Sequence, residues 1–121
     1  MIRTNKMLPG RKRFGEIMAE LRRKAGLSQS QLLGLFRGVS PQSLSNLERG
    51  VGGNWPNHII ALVFQKNHMA TEVAIDLINK INTVTYAYEF GVIDFNIAKK
   101  LLSQIPVPTP NPYSPGEKPN E

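Results

Sequence analysis

Residues 38–50 read G-V-S-P-Q-S-L-S-N-L-E-R-G, a short helix with a defined start and stop. Ser40 is a good N-cap, because its hydroxyl can accept the unpaired amide of Ser43. Pro41 falls at the first helical position, where a missing N–H costs nothing and φ is already right. Gly50 can adopt the left-handed conformation that closes a helix. Leu44 and Leu47 are three apart and turn inward together. Gln42, Ser43, Ser45, Asn46 and Arg49 are left on the outside. A small capped helix that presents amides, hydroxyls and a guanidinium suits the reading of base edges.

The charge distribution agrees. The chain of 121 residues carries a formal +6. Residues 1–50 hold ten Lys/Arg against three Glu, whereas residues 51–121 hold five basic and six acidic side chains. The excess positive charge therefore surrounds the 38–50 stretch, as expected where phosphates are neutralised. There is no cysteine, which excludes disulfides, thiolate metal sites and thiol nucleophiles. No nucleophile–base pair, metal cluster or phosphate loop is legible, so neither an enzyme nor a cofactor is expected. No stretch approaches the ~20 apolar residues of a membrane span, and the basic N-terminus lacks an apolar signal core. The expectation is a soluble cytoplasmic protein with no membrane partner.

Working outward, Leu27–Arg37 is predicted as the preceding helix. Ser28 and Gln31 form an S-x-x-Q capping box, with Leu27 and Leu32 as a hydrophobic staple. Gln29 and Ser30 then sit beside free amides at a helix start, a place where phosphate binds readily. Gly34 inside this helix suggests a close crossing of another helix. Before it, Phe14, Ile17, Met18, Leu21 and Ala25 give Arg11–Ala25 an amphipathic stripe. Arg22, Arg23 and Lys24 crowd its C-terminus, where the helix dipole favours them. They are also expected to meet DNA phosphates.

The run from Leu21 to Gly50, L-R-R-K-A-G-L-S-Q-S-Q-L-L-G-L-F-R-G-V-S-P-Q-S-L-S-N-L-E-R-G, resembles the Cro/C1-type helix-turn-helix family of phage repressors and bacterial regulators. The resemblance covers about residues 11–67. It implies a bundle of about five helices, the third lying in the major groove and the second docking on the DNA backbone. By that resemblance Gln29 binds phosphate, Gln42, Ser43 and Asn46 face base edges, and Arg49 reaches phosphate or a base. Glu48 matches an acidic residue that bonds within the fold. The sequence departs from the family in three places. Ser28–Val39 is one residue longer than the common pattern. Pro41 replaces a residue that often reads bases. The loop Val51-Gly52-Gly53-Asn54 lacks a cation, although the amides of Gly52 and Gly53 can still meet a phosphate.

Residues 1–10 read as a flexible basic arm whose Arg3 and Lys6 can touch DNA. Pro56–Asn67 is expected to be a central helix with Trp55 capping the core, and His58 and His68 are read as surface residues. Thr71–Phe90 carries one full stripe (Val73, Leu77, Ile81, Val84, Tyr88). A partial second one contains Ile75 and Ile78. Thr71 is its expected cap, and residues 82–90 also have strand-like composition. Asp94 caps a further helix that Pro106 ends. The expected architecture is thus all-α. It comprises a helix-turn-helix domain (11–69), a helical hairpin (70–105) and a Pro-rich disordered tail (106–121). The hairpin serves homodimerisation or acts as an intramolecular brace.

Together these features predict a sequence-specific regulator of transcription, a repressor, binding double-stranded DNA as a homodimer. It would be bacterial or phage-encoded and nucleoid-associated when bound. The alternative is a helical protein-binding module, such as an antitoxin or phage accessory factor, whose partner engages residues 70–121.

Overall fold

A computed structural model describes residues 9–35, 38–51 and 53–110. Six α-helices make up its regular structure, and no strand is present among the described residues: α1 (Pro9–Lys24), α2 (Gln29–Leu33), α3 (Pro41–Glu48), α4 (Asn57–Lys66), α5 (Thr71–Glu89) and α6 (Phe95–Ser103). None of them is long and apolar enough to cross a membrane.

The first helix is the hub, packing against α3, α4, α5 and α6. Its stripe of Ile17, Met18 and Leu21 is fully buried. Around it lie Leu32 of α2, Leu44 of α3, Ile59, Val63 and Phe64 of α4, Leu77 and Ile81 of α5, and Leu102 of α6. All six helices thus share one core. Residues on both sides of the boundary expected near residue 69 belong to that core.

Several expected element limits shift, each for a local reason. Pro9 and Gly10 are already helical, so they belong to α1 and the body and not to an arm. Arg3 and Lys6 lie outside the described residues. Helix α2 stops at Leu33, with Gly34 as its C-cap at φ −65°, well short of Arg37. Nothing crosses closely there: a Cβ on Gly34 would meet only carbonyls of its own turn, at 3.4 and 3.6 Å. Helix α5 is capped at Ala70 without a side-chain bond, so Thr71 is its first residue and not its cap. The strand-like residues near 82–90 are helical. Thr83 and Thr85 hydroxyls donate to the carbonyls of Asn79 and Ile81, both at 2.8 Å, which lets threonine sit inside a helix.

Other expectations hold. Ser28 and Gln31 form the reciprocal capping box. Trp55 packs edge-on against Phe14, centroids 6.0 Å apart, at the margin of the core. Asp94 caps α6 by accepting from the Ile97 amide at 2.8 Å. After α6, however, the chain does not leave the body at once. Arg13 donates from Nη2 to the Ile105 carbonyl, and Ile105 and Val107 pack on the core. The segment 105–107 is therefore held against the body, and residues 111–121 of the expected tail lie outside the described residues.

Candidate nucleic-acid interface

The candidate interface is built around α3, and its position is fixed from beneath by two glycines. Leu44 and Leu47 bury its inner side. Gly15 of α1 lies under its last turn. A Cβ at Gly15 would stand 2.5 Å from the Leu47 carbonyl oxygen and 2.6 Å from that of Glu48. Gly50 has φ +84°, and a Cβ there would stand 2.5 Å from Lys12 Cα. Backbone thus meets backbone on both sides of the contact between α1 and α3.

The ends of α3 are equally determined. Ser40 Oγ accepts from the Ser43 amide at 3.0 Å and donates to the Ser43 hydroxyl at 2.9 Å. Pro41 occupies the first turn, as its fixed φ favours. At the other end Arg49 is the C-cap, and the Val51 amide returns to the Asn46 carbonyl at 2.9 Å.

On the outer side, Gln42, Asn46 and Arg49 form one row. Their spacing of four and three residues puts them on adjacent turns. Gln42 Nε2 donates to Asn46 Oδ1 at 3.0 Å, and Arg49 Nη2 donates to the same oxygen. Asn46 is thus the hub of a surface array of amides and a guanidinium. Ser43 is exposed beside it, its hydroxyl engaged by Ser40.

Arg22 requires a correction. It was expected to meet phosphate, but it is only 7% exposed. Its Nε donates to Glu48 Oε2 at 2.7 Å, Nη2 to Glu48 Oε1 at 3.2 Å, and Nη1 to the Leu27 carbonyl at 2.7 Å. This two-point guanidinium–carboxylate pair ties α1 to the end of α3, in the geometry that makes such pairs strong. Glu48 is structural, as expected. Gln29 joins the same cluster, donating from Nε2 to Glu48 Oε1 at 2.8 Å. Its side-chain amide is therefore half-buried and turned inward in place of being presented to solvent. The position of Arg22 in the sequence carried the signal. It stands four residues after Met18 and next to Leu21, on the edge of the apolar stripe, whereas Arg23 and Lys24 fall outside it.

The other expected backbone contacts remain on the surface. Ser30, Arg23, Lys24 and Arg49 are exposed, and Arg23 makes only a surface bond to Glu20 at 3.1 Å. Beside them a recess of about 460 Å³ separates α1 from the ends of α2 and α3, with Arg23, Gln29, Glu48 and Arg49 in its walls and Val107 at its border. A second groove, of about 470 Å³, runs between the start of α1, the α3–α4 loop and α5. It is walled by Phe14, Trp55, Ile60 and Ile78. Among the described residues no group of three His, Asp or Glu could hold a metal ion.

The chain matches no protein-family model, no curated protein and no solved structure.

Proposed function

We propose that this chain is a sequence-specific, double-stranded-DNA-binding regulator of transcription, a repressor of the Cro/C1 helix-turn-helix kind, with α2 and α3 as its two motif helices. The observation that carries this reading is the outer row Gln42–Asn46–Arg49, with Gln42 and Arg49 exposed and Asn46 half-buried between them, on a helix whose opposite side is locked to α1. Glutamine and asparagine can each bind adenine through two hydrogen bonds, and arginine can grip guanine or phosphate. The mutual hydrogen bonds of the row hold these groups ready, and base edges can replace them without burying an unpaired polar atom. Arg23, Lys24, Ser30 and Arg49 are the backbone contacts under this reading. Arg22 serves them only by fixing α3. As a homodimer the protein would read half-sites about one helical turn, ~34 Å, apart.

Selection of bound duplexes from random-sequence DNA, followed by mobility shift, tests the proposal. A defined motif should be enriched. Gln42→Ala should change preference at one position per half-site, at a cost of ~1–3 kcal/mol on the preferred base. Arg23→Ala should weaken all sequences alike and lower the salt slope by about one. If nothing is enriched over bulk DNA, the reading fails.

A helical protein-binding module, such as an antitoxin or phage accessory factor, is the second reading. Phe90, Val92, Phe95 and Ile97, all exposed near the α5–α6 turn, favour it. It predicts a stable partner whose capture survives truncation of Gln42 and Asn46 to alanine.

A further inference from the structure

We propose that the groove between the start of α1, the α3–α4 loop and α5 is a binding site for a free, uncharged purine base or nucleoside. Its volume, about 470 Å³, falls within the range of small-ligand sites. Gly10 helps to shape it by letting α1 lie directly on α5, since a Cβ there would run into the Thr85 hydroxyl.

The chemistry of the walls selects the ligand. Phe14, Trp55 and Tyr86 supply three aromatic rings. Each is already packed on a neighbour: Trp55 meets Phe14 edge-on with centroids 6.0 Å apart, and Tyr86 stacks on Phe90 at 6.3 Å. Rings held in place in advance are stacking platforms for a flat ligand. Asn57, at the start of α4, and Asn82, on α5, also line the groove, and neither amide is engaged by another described residue. Each offers a donor and an acceptor side by side, the pair that matches the edge of a purine. Arg11 and Glu89 are the only charged side chains of the walls among the described residues. They are opposite in sign, so the groove has no net charge with which to select an anion or a cation. Stacking faces, paired amides and neutrality together fit a purine better than a phosphate, a carboxylic acid or an amine.

The groove also touches α3. Leu47 and Gly50 lie in its wall, and the Gly50 and Val51 amides bond to the carbonyls of Leu47 and Asn46 at 3.1 and 2.9 Å. A ligand in the groove therefore braces the end of α3 next to Asn46. Under the DNA-binding reading, on which this step alone rests, the ligand is an effector that changes affinity for duplex DNA.

The site is tested on the full chain without DNA, so its failure and that of the DNA reading are distinct results. Trp55 is the single tryptophan and reports occupancy when excited on the red edge of its band, where nucleosides do not absorb. Adenosine or guanosine should quench its emission saturably. At the binding energy per atom usual for ligands of about 19 non-hydrogen atoms, the dissociation constant should be ~100 μM. Tyr86→Ala should weaken binding about tenfold or more by removing a stacking ring, and Asn82→Leu about tenfold by removing an edge contact. Asn79→Leu, on the same helix but outside the groove, should leave it unchanged. The bound nucleoside should also slow hydrogen exchange at the Gly50 and Val51 amides. Four results would overturn the inference: no saturable quenching by either purine, equal affinity in Asn82→Leu and the parent, binding of cytidine or phenylalanine as tight as that of the purine, or tighter binding of an oligodeoxyadenylate than of adenosine.

Discussion

Alanine at position 15 sets two effects of similar size against each other. In an exposed helix, Gly→Ala stabilises by about 1 kcal/mol, because the chain loses less backbone freedom on folding. In this protein the added Cβ would sit 2.5 Å from the Leu47 carbonyl oxygen, where ordinary contact begins at 3.4 Å. The two helices must therefore part locally by 0.9 Å, the difference between those distances. The obstructing atoms are backbone in the last turn of α3. They are held by the helix itself and by the Arg22–Glu48 pair, so no flexible side chain can swing aside. Overpacking of this kind costs ~1–3 kcal/mol, and rigid neighbours argue for the upper part of that range. Net destabilisation of Gly15→Ala should be about 1–2 kcal/mol, a fall in Tm of roughly 5–15 °C for a domain of this size. Gly34→Ala is the control. There φ is helical and the added Cβ would make only ordinary contacts, at 3.4 and 3.6 Å, so that variant should gain about 0.4–1 kcal/mol. Thermal unfolding followed by far-UV circular dichroism measures both. If Gly15→Ala melts higher than the parent, the close approach of α1 to α3 is not a constraint and the account of how α3 is seated is wrong.

Other substitutions test the same framework. Arg22→Ala leaves Glu48 buried without its cation, and should cost about 3–5 kcal/mol; a shift of the urea midpoint no larger than that of Arg23→Ala would contradict the buried pair. Asn67 bridges two helices, donating to the carbonyls of Leu21 and Val63, both at 2.9 Å. Both oxygens keep a backbone donor, so Asn67→Ala should cost only the two net hydrogen bonds, about 1 kcal/mol each, in the same denaturant titration. Ser40→Ala removes the cap of α3 and should cost about 1 kcal/mol, with earlier hydrogen exchange at the Ser43 amide.

What the sequence reveals and what it hides divide along a physical line. Features set by near neighbours are legible: the capping box at Ser28, the Ser40–Pro41 start, the inward leucines of α3, the Asp94 cap. Each depends on residues within one or two turns. Features set by distant partners are not. Glycine in a helix reads as a propensity cost at Gly15 and Gly34 alike, and only the arrival of α3 over Gly15 distinguishes them. In the run Arg22-Arg23-Lys24 the helical register sets Arg22 beside the apolar stripe, but its partner Glu48, 26 residues away, shows only in the fold. Gln42, Asn46 and Arg49 were legible as outward-facing residues; their convergence on one Asn46 oxygen was not, because it depends on rotamers. Val107 follows a proline and precedes another, which reads as tail until the folded core offers it an apolar seat.

The shared core has a consequence for any attempt to divide the chain. A fragment ending at residue 69 would keep α1 to α4 but remove Ala74, Leu77, Ile81 and Leu102 from the core, and a fragment ending at 104 would lose the carbonyl that receives Arg13. Neither is a natural unit. The smallest piece that retains the hub helix with every surface it packs against runs from Pro9 to about Val107. Limited proteolysis should spare that piece as a whole, and heat should melt it in a single step, with no detachable reading head and no separate handle.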